Sequence, residues 1–264
     1  MSVGEVRGAA GKSDIWPPAA LLLLAGLGWW WSAVSAGDMS RDATGAMPMP
    51  SMPGMPMEPH PTMSFVAFLV AWVAMMAAMM FPAVVPVVRL YTRAAAKGQA
   101  APSVFFVGGY LVLWTFVGIP AYFAWRRLEE PLMHGDPWVG RVAGAVAVVA
   151  GLYQLTPLKS VCLRHCRSPM SFFLRHGRHL DRPVGAFVAG GRHGMFCIGC
   201  CWLLMALLVA FGAMHLVWML VFAVLIFAEK TAPFGEQLAR VTGVVLFALG
   251  VALLARPEII THLV

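Results

Sequence analysis

Apolar runs of about 20 residues recur along almost the whole chain, and each is long enough to cross a bilayer as a helix. Seven stand out: residues 15–35, 63–88, 102–125, 138–157, 194–211, 213–229 and 237–255. Inside hydrocarbon every backbone N–H and C=O must be satisfied within the segment, which leaves the helix as the fold for such a run. The expected fold class is therefore all-α, a polytopic integral membrane bundle of about seven transmembrane helices. Composition agrees: 60% of the residues are hydrophobic and 12% charged, about half the charged share of a soluble domain.

The net charge of +7 is unevenly placed. With the N-terminus in the cytoplasm, the inner segments hold 14 of the Lys and Arg residues and the outer segments 5, the bias expected of short cytoplasmic loops. The basic stretch lies between spans and lacks interleaved aromatics, which excludes nucleic acid as a partner. Membrane lipids with anionic headgroups are its expected partner. Three divisions follow. Residues 1–36 form an N-terminal span or signal anchor: the basic start, AALLLLAGLG and Val34-Ser35-Ala36 are features of a cleaved signal too, but the tract is long and Trp29, Trp30 and Trp31 suit an interfacial anchor. Residues 37–62 form a Met/Pro-rich segment outside the cytoplasm. Residues 63–264 form a membrane domain with a cytoplasmic basic, Cys-bearing loop over 158–194.

The outer segment reads MSRDATGAMPMPSMPGMPMEPHPTM over 39–63, with seven methionines interleaved with proline. The prolines forbid a regular helix, so these methionines are not core residues of one. Thioethers are soft ligands that select Cu(I), and they keep donor character where thiols would be oxidised. Met47 with Met49, and Met55 with Met57, are paired to converge on one ion, with His60 as a nitrogen donor; a compositionally biased linker is the bland alternative. Inside the second run, Met75/Met79 and Met76/Met80 are spaced four apart, so each pair shares a helix face. They read either as packing or as thioethers stacked one turn apart along an ion path.

The five cysteines form two clusters. TPLKSVCLRHCRSP carries Cys162 and Cys166, and GRHGMFCIGCCWLLM carries Cys197, Cys200 and Cys201. On a helix Cys197, Cys201 and Met205 lie on one stripe, with Cys200 beside it. At the inner ends of two spans these thiols would meet at one membrane face. Arg164, Arg167 and Arg192 would raise the local positive potential and favour thiolates. Zinc is the rival metal for a Cys-rich site; the methionines tilt the reading to Cu(I).

The pieces AWVAMMAAMMFPAVVPVV, GLYQLTPLKSVCLRHCRSP and GMFCIGCCWLLMALLVAFGAMHLVWMLVFAVLIFAEK resemble a bacterial family of predicted metal-binding integral membrane proteins, a domain of unknown function. They span about 63–231. The resemblance implies a multi-pass helical protein of the bacterial inner (cytoplasmic) membrane with a metal role. It points to Met75, Met76, Met79, Met80, Cys162, Cys166, Cys197, Cys200, Cys201, Trp202, Met205, Trp218, Met219, Glu229 and Lys230. This chain has His215 where such proteins often show Asn.

The expected function is Cu(I) handling: capture by the periplasmic Met segment, relay through Met75–Met80 and Met205, and receipt by the cysteines. A transporter, a metallochaperone and an assembly factor for a copper enzyme all use this ligand set, and a copper-accepting protein or membrane enzyme complex is the implied partner. No Walker motif is present and no hydrolytic constellation stands out, so an enzyme is not expected. The alternatives are a membrane thiol-disulfide oxidoreductase using Cys162/Cys166 against Cys197/Cys200, and a structural subunit of a larger membrane complex.

Overall fold

The structure is a computed structural model that describes residues 19–30, 34, 63–134, 136–167, 180–211 and 216–258. Among these residues it is all-helical, without strands. The helices are α1 (Ala19–Trp30), α2 (Phe65–Ala96), α3 (Ser103–Met133), α4 (Pro137–Gln154), α5 (Pro157–Arg167), α6 (Pro183–Ala210), α7 (Leu216–Thr231) and α8 (Gly235–Ala255). Four of them, α2, α3, α6 and α8, are long and apolar enough to cross a membrane. The pair α4 and α5 makes a fifth only if it counts as one broken span, because the two are bent by 70°. Of the other two expected spans, the first is represented by the short α1 and the sixth by the 16-residue α7.

Local sequence explains the boundaries. Ser64 caps α2, its hydroxyl accepting from the Ala67 N–H at 3.2 Å. Pro157 opens α5, and the residue before a proline is pushed away from helical geometry, so the chain turns at Leu155–Thr156. Pro183 opens α6 at its N-terminal position. The apolar VGAFVAGG that follows extends α6 about three turns before the expected start at 194. Much of the segment expected as a loop over 158–194 is therefore helix: 158–167 in α5 and 183–194 in α6.

Glycine sets the helix spacing. A Cβ on Gly190 would fall on the backbone of Phe106, and one on Gly109 on the Phe187 carbonyl, so α3 and α6 pack with backbones in near contact. The α4–α8 pair does the same through Gly144, Gly151, Gly243 and Gly250. Close approach through small residues is how helices associate without a hydrophobic drive between them. α3 and α6 start together, tied by Ala101 N–H to Leu180 C=O at 2.6 Å, and run in the same direction. α2 runs against α3, with Tyr91 stacked on Phe106 at one end and Phe68 on Trp125 at the other.

α2 is largely enclosed. α3 and α7 pack along it, and α1 covers it where Gly28 meets Ala74 and Ala78. All four methionines of MMAAMM are consequently buried, and Met80 is fully so. Trp72, one turn earlier, fixes α2 to α3 by donating its indole N–H to the Trp114 carbonyl at 3.1 Å.

Candidate metal centre

Cys197 lies close to the middle of α6, and Met80 close to the middle of α2. At 1.5 Å per residue, each is about 20 Å from either end of its helix. The expected span begins at 194; the extra turns of α6 put Cys197 near the middle of its helix instead, beside Met80 of α2. The two groups are thus one cluster, not successive stages at different depths.

Four helices supply its core. Met80 Sδ of α2 and Cys197 Sγ of α6 are 4.0 Å apart. Tyr110 of α3 has its hydroxyl 3.1 Å from Cys197 Sγ. From the last turn of α7, the Lys230 ammonium donates to Cys197 Sγ at 3.0 Å and to Met80 Sδ at 3.4 Å. One turn along α6, Cys200 Sγ is 3.8 Å from Cys166 Sγ of α5. The Cys200 and Cys201 thiols both donate to the Cys197 carbonyl, at 3.0 and 2.9 Å. All five cysteines are free thiols, and all but Cys162 are buried. Cys162 is half-buried and lies over Gly199, where a side chain would collide with its sulfur. Tyr153 donates to the Gly199 carbonyl beside it.

A second polar group holds this arrangement together. Lys159 of α5 is 1% exposed, as is Glu229 of α7. The Lys159 ammonium donates to Glu229 Oε2 at 2.7 Å and to the Cys200 carbonyl at 2.5 Å. Gln154 of α4 donates to Glu229 Oε1 at 3.0 Å. Four helices are pinned at one point, next to Cys200. A short α5 that only lay on the surface would not hold Cys166 at a fixed distance; this buried bridge does.

The arginines do not act as the sequence suggested. Arg164 is exposed and pairs with Glu236 at 3.1 Å. Arg167 donates to the Ala232 carbonyl, and Arg192 is exposed. The cation beside the thiols is Lys230. Glu229 and Lys230 are both buried inside the bundle.

Of the other expected residues, Met75, Met76, Met79, Met205 and Met219 are buried in the bundle. Among the described residues Met80 is the methionine whose sulfur approaches a thiol. Trp202 turns outward, edge-on to Tyr153. Met47, Met49, Met55, Met57, His60 and His215 lie outside the described residues. Residues not anticipated are Tyr110, Gln154, Lys159 and His193, the last buried against the rings of Phe106 and Tyr110. A signal existed for three of them: Gln154 and Lys159 are polar interruptions in GLYQLTPLK, and His193 stands one turn before Cys197 on its stripe.

Chemically, the cluster offers sulfur pairs. With metal–sulfur bonds of about 2.3 Å, two sulfurs sharing an ion lie about 3.7 Å apart at a tetrahedral angle and about 4.6 Å apart when linear. Both observed separations, 3.8 and 4.0 Å, fall in that interval. Among the described residues no three His, Cys, Asp or Glu side chains converge on one point as a metal site.

Fold and site together define an all-helical protein with a buried thiol–thioether cluster. The chain belongs to the PpoB2 copper chaperone family, whose profile matches residues 69–253. That stretch contains Met75 to Met80 and all five cysteines. No curated protein and no solved structure matches the chain.

Proposed function

We propose that this chain is a multi-pass protein of the bacterial cytoplasmic membrane that binds Cu(I) between methionine and cysteine sulfurs and hands it to an accepting protein. The observation that carries the reading is the pair of sulfur contacts within one buried cluster, Met80–Cys197 and Cys200–Cys166. Thiolate and thioether ligands select Cu(I) among the available metals. The two pairs are one helical turn apart, so an ion can move between them by ligand exchange, gaining one sulfur as it leaves another. Cys162, next along α5 and half-buried, is the thiol nearest the outside and the natural point of release.

In this reading all seven apolar runs are inserted, the N-terminus is cytoplasmic and the Met/Pro segment over 37–62 is periplasmic, where it collects the ion first. Met47, Met49, Met55, Met57 and His60 are its ligands there, and Met75, Met76, Met79 and Met205 line the interior beside the cluster. The chain acts by binding and transfer, not as an enzyme; its partners are lipid and a copper acceptor, and not nucleic acid.

The test is a Cu(I) titration of the reduced, detergent-purified protein against a chromogenic Cu(I) chelator. Wild type should withdraw copper from the chelator, and the combined Cys197→Ser, Cys200→Ser variant should lose most of that capacity. Equal withdrawal by both proteins, or none by wild type, refutes the proposal. A second reading, thiol-disulfide exchange, is favoured by the 3.8 Å approach of Cys166 to Cys200. It predicts that trapping of thiols in intact cells recovers a Cys166–Cys200 disulfide that turns over.

A further inference from the structure

Two lysines are buried at the cluster, and they are paired differently. Lys159 has a carboxylate, Glu229. Lys230 follows Glu229 in sequence, about 100° further round α7, and its ammonium meets two sulfurs instead, Cys197 Sγ at 3.0 Å and Met80 Sδ at 3.4 Å. Sulfur is a weak hydrogen-bond acceptor, and an ammonium taken from water without a carboxylate is costly. An apolar residue at 230 would serve packing better, so stability does not account for this lysine.

Its position does. The two sulfurs that Lys230 bridges are 4.0 Å apart. An ion bound to both at about 2.3 Å would sit at an S–metal–S angle of about 120°. The ammonium straddles the same edge of the same pair. Two cations cannot share so small a space inside a bundle, where charges are weakly screened.

Accepting the copper reading above, we propose that Lys230 is a tethered cation that competes with Cu(I) for the Met80–Cys197 pair, so that loading and release are a cation-for-cation exchange. The ion entering takes the ammonium's place on the Cys197 thiolate; the ammonium returning weakens the hold on the ion and drives it toward Cys200 and Cys166, whose thiol gives up its proton to solvent as it binds. Lys230 has the means to move: its stem is flexible, and it stands in the last turn of α7, beside exposed Thr231. Lys159, locked by Glu229 and the Cys200 carbonyl, has no such freedom. The device makes Lys230 a residue that limits affinity, as a protein that must give its cargo away requires.

The experiment compares wild type, Lys230→Leu and Lys230→Gln, each full-length, reduced and in detergent. Silver ion serves as a redox-inert probe of the same charge alongside Cu(I). Affinity is read by competition with a chromogenic chelator and release by stopped-flow transfer to it. Both variants should bind at least about tenfold more tightly, mainly through slower release. Tighter binding is a gain that a merely damaged fold does not produce, and the two substitutions keep the test alive if one variant misfolds. Affinity no higher than wild type, with release no slower, in the folded variants overturns the proposal while leaving the copper reading intact. A wild-type protein that takes up neither ion overturns both.

Discussion

Replacing Lys159 by Met should be among the most destabilising single changes in the chain, and its double-mutant partner should largely repair it. Lys159 and Glu229 are 2.7 Å apart with side chains 2% exposed. Removing the ammonium leaves a buried carboxylate whose one remaining donor is the Gln154 amide. Breaking a buried pair from one side costs about 3–5 kcal/mol, whereas replacing both partners with apolar groups of similar volume is often close to neutral. Glu229→Met alone strands the ammonium, with the Cys200 carbonyl as its remaining acceptor, at a similar cost. The double variant leaves only Gln154 without its acceptor, about 1–3 kcal/mol. Thermal unfolding in detergent should therefore show each single variant melting roughly 6–20 °C lower, from about 2–4 °C per kcal/mol at this size, and the double variant melting above both. Single variants within 1 kcal/mol of wild type (about 2–4 °C), or a double variant whose loss is the sum of the two, would refute the argument that this pair is a buried structural bridge. The same samples test its consequence for the site. With α5 released, mild oxidation should cross-link Cys166 to Cys200 far less efficiently than in wild type, as read by mass spectrometry of the digested protein.

Met80→Leu should lower Cu(I) affinity by roughly tenfold or more, about 1.4 kcal/mol, while Met75→Leu should leave it nearly unchanged; a swap of this volume costs under about 1.5 kcal/mol in stability, so a chelator titration beside a melting curve separates ligand from packing. Gly190→Ala should destabilise by about 1–3 kcal/mol because its Cβ meets the Phe106 backbone, which cannot yield, whereas Gly26→Ala in α1 has open space and should be neutral or slightly stabilising in the same melt.

Much of the helical pattern was legible because it rests on local chemistry. Apolar runs, the Ser64 cap and the prolines at 157 and 183 mark elements that the structure contains. The CxxCC stripe was legible for the same reason, since i, i+4 spacing fixes a face. What crosses between elements was not. Nothing near position 80 announces that Met80 meets Cys197, or near 159 that a lysine in a basic stretch turns inward to Glu229. The place of the cysteines on their helix turned on one boundary: the apolar residues between Arg182 and Arg192 extend α6 by about three turns, which puts Cys197 near its middle and not its start. The arginines misled likewise, because their number suggests a field at the thiols while their side chains are held elsewhere.

Within the copper reading proposed above, the same geometry bears on the two metals that a five-cysteine chain invites. Zn²⁺ in a structural site wants four ligands at tetrahedral corners, drawn from Cys, His and carboxylate. Among the described residues no three such groups converge. Glu229 is engaged by Lys159 and Gln154, and the Cys200 and Cys201 thiols turn back to their own helix. A divalent ion would also bring twice the charge to a cluster that already contains two ammonium groups, in surroundings that screen charge poorly. Cu(I) needs fewer and softer donors, and one of the donors here, the Met80 thioether, is a poor ligand for zinc. A large excess of zinc should therefore leave copper on the protein, and elemental analysis after dialysis against zinc alone should find the metal substoichiometric. Displacement of Cu(I) by zinc, or a full equivalent of zinc retained through dialysis, would mean that the cysteines rearrange into a four-ligand site, and the sulfur pairs would then no longer describe how the protein holds its metal.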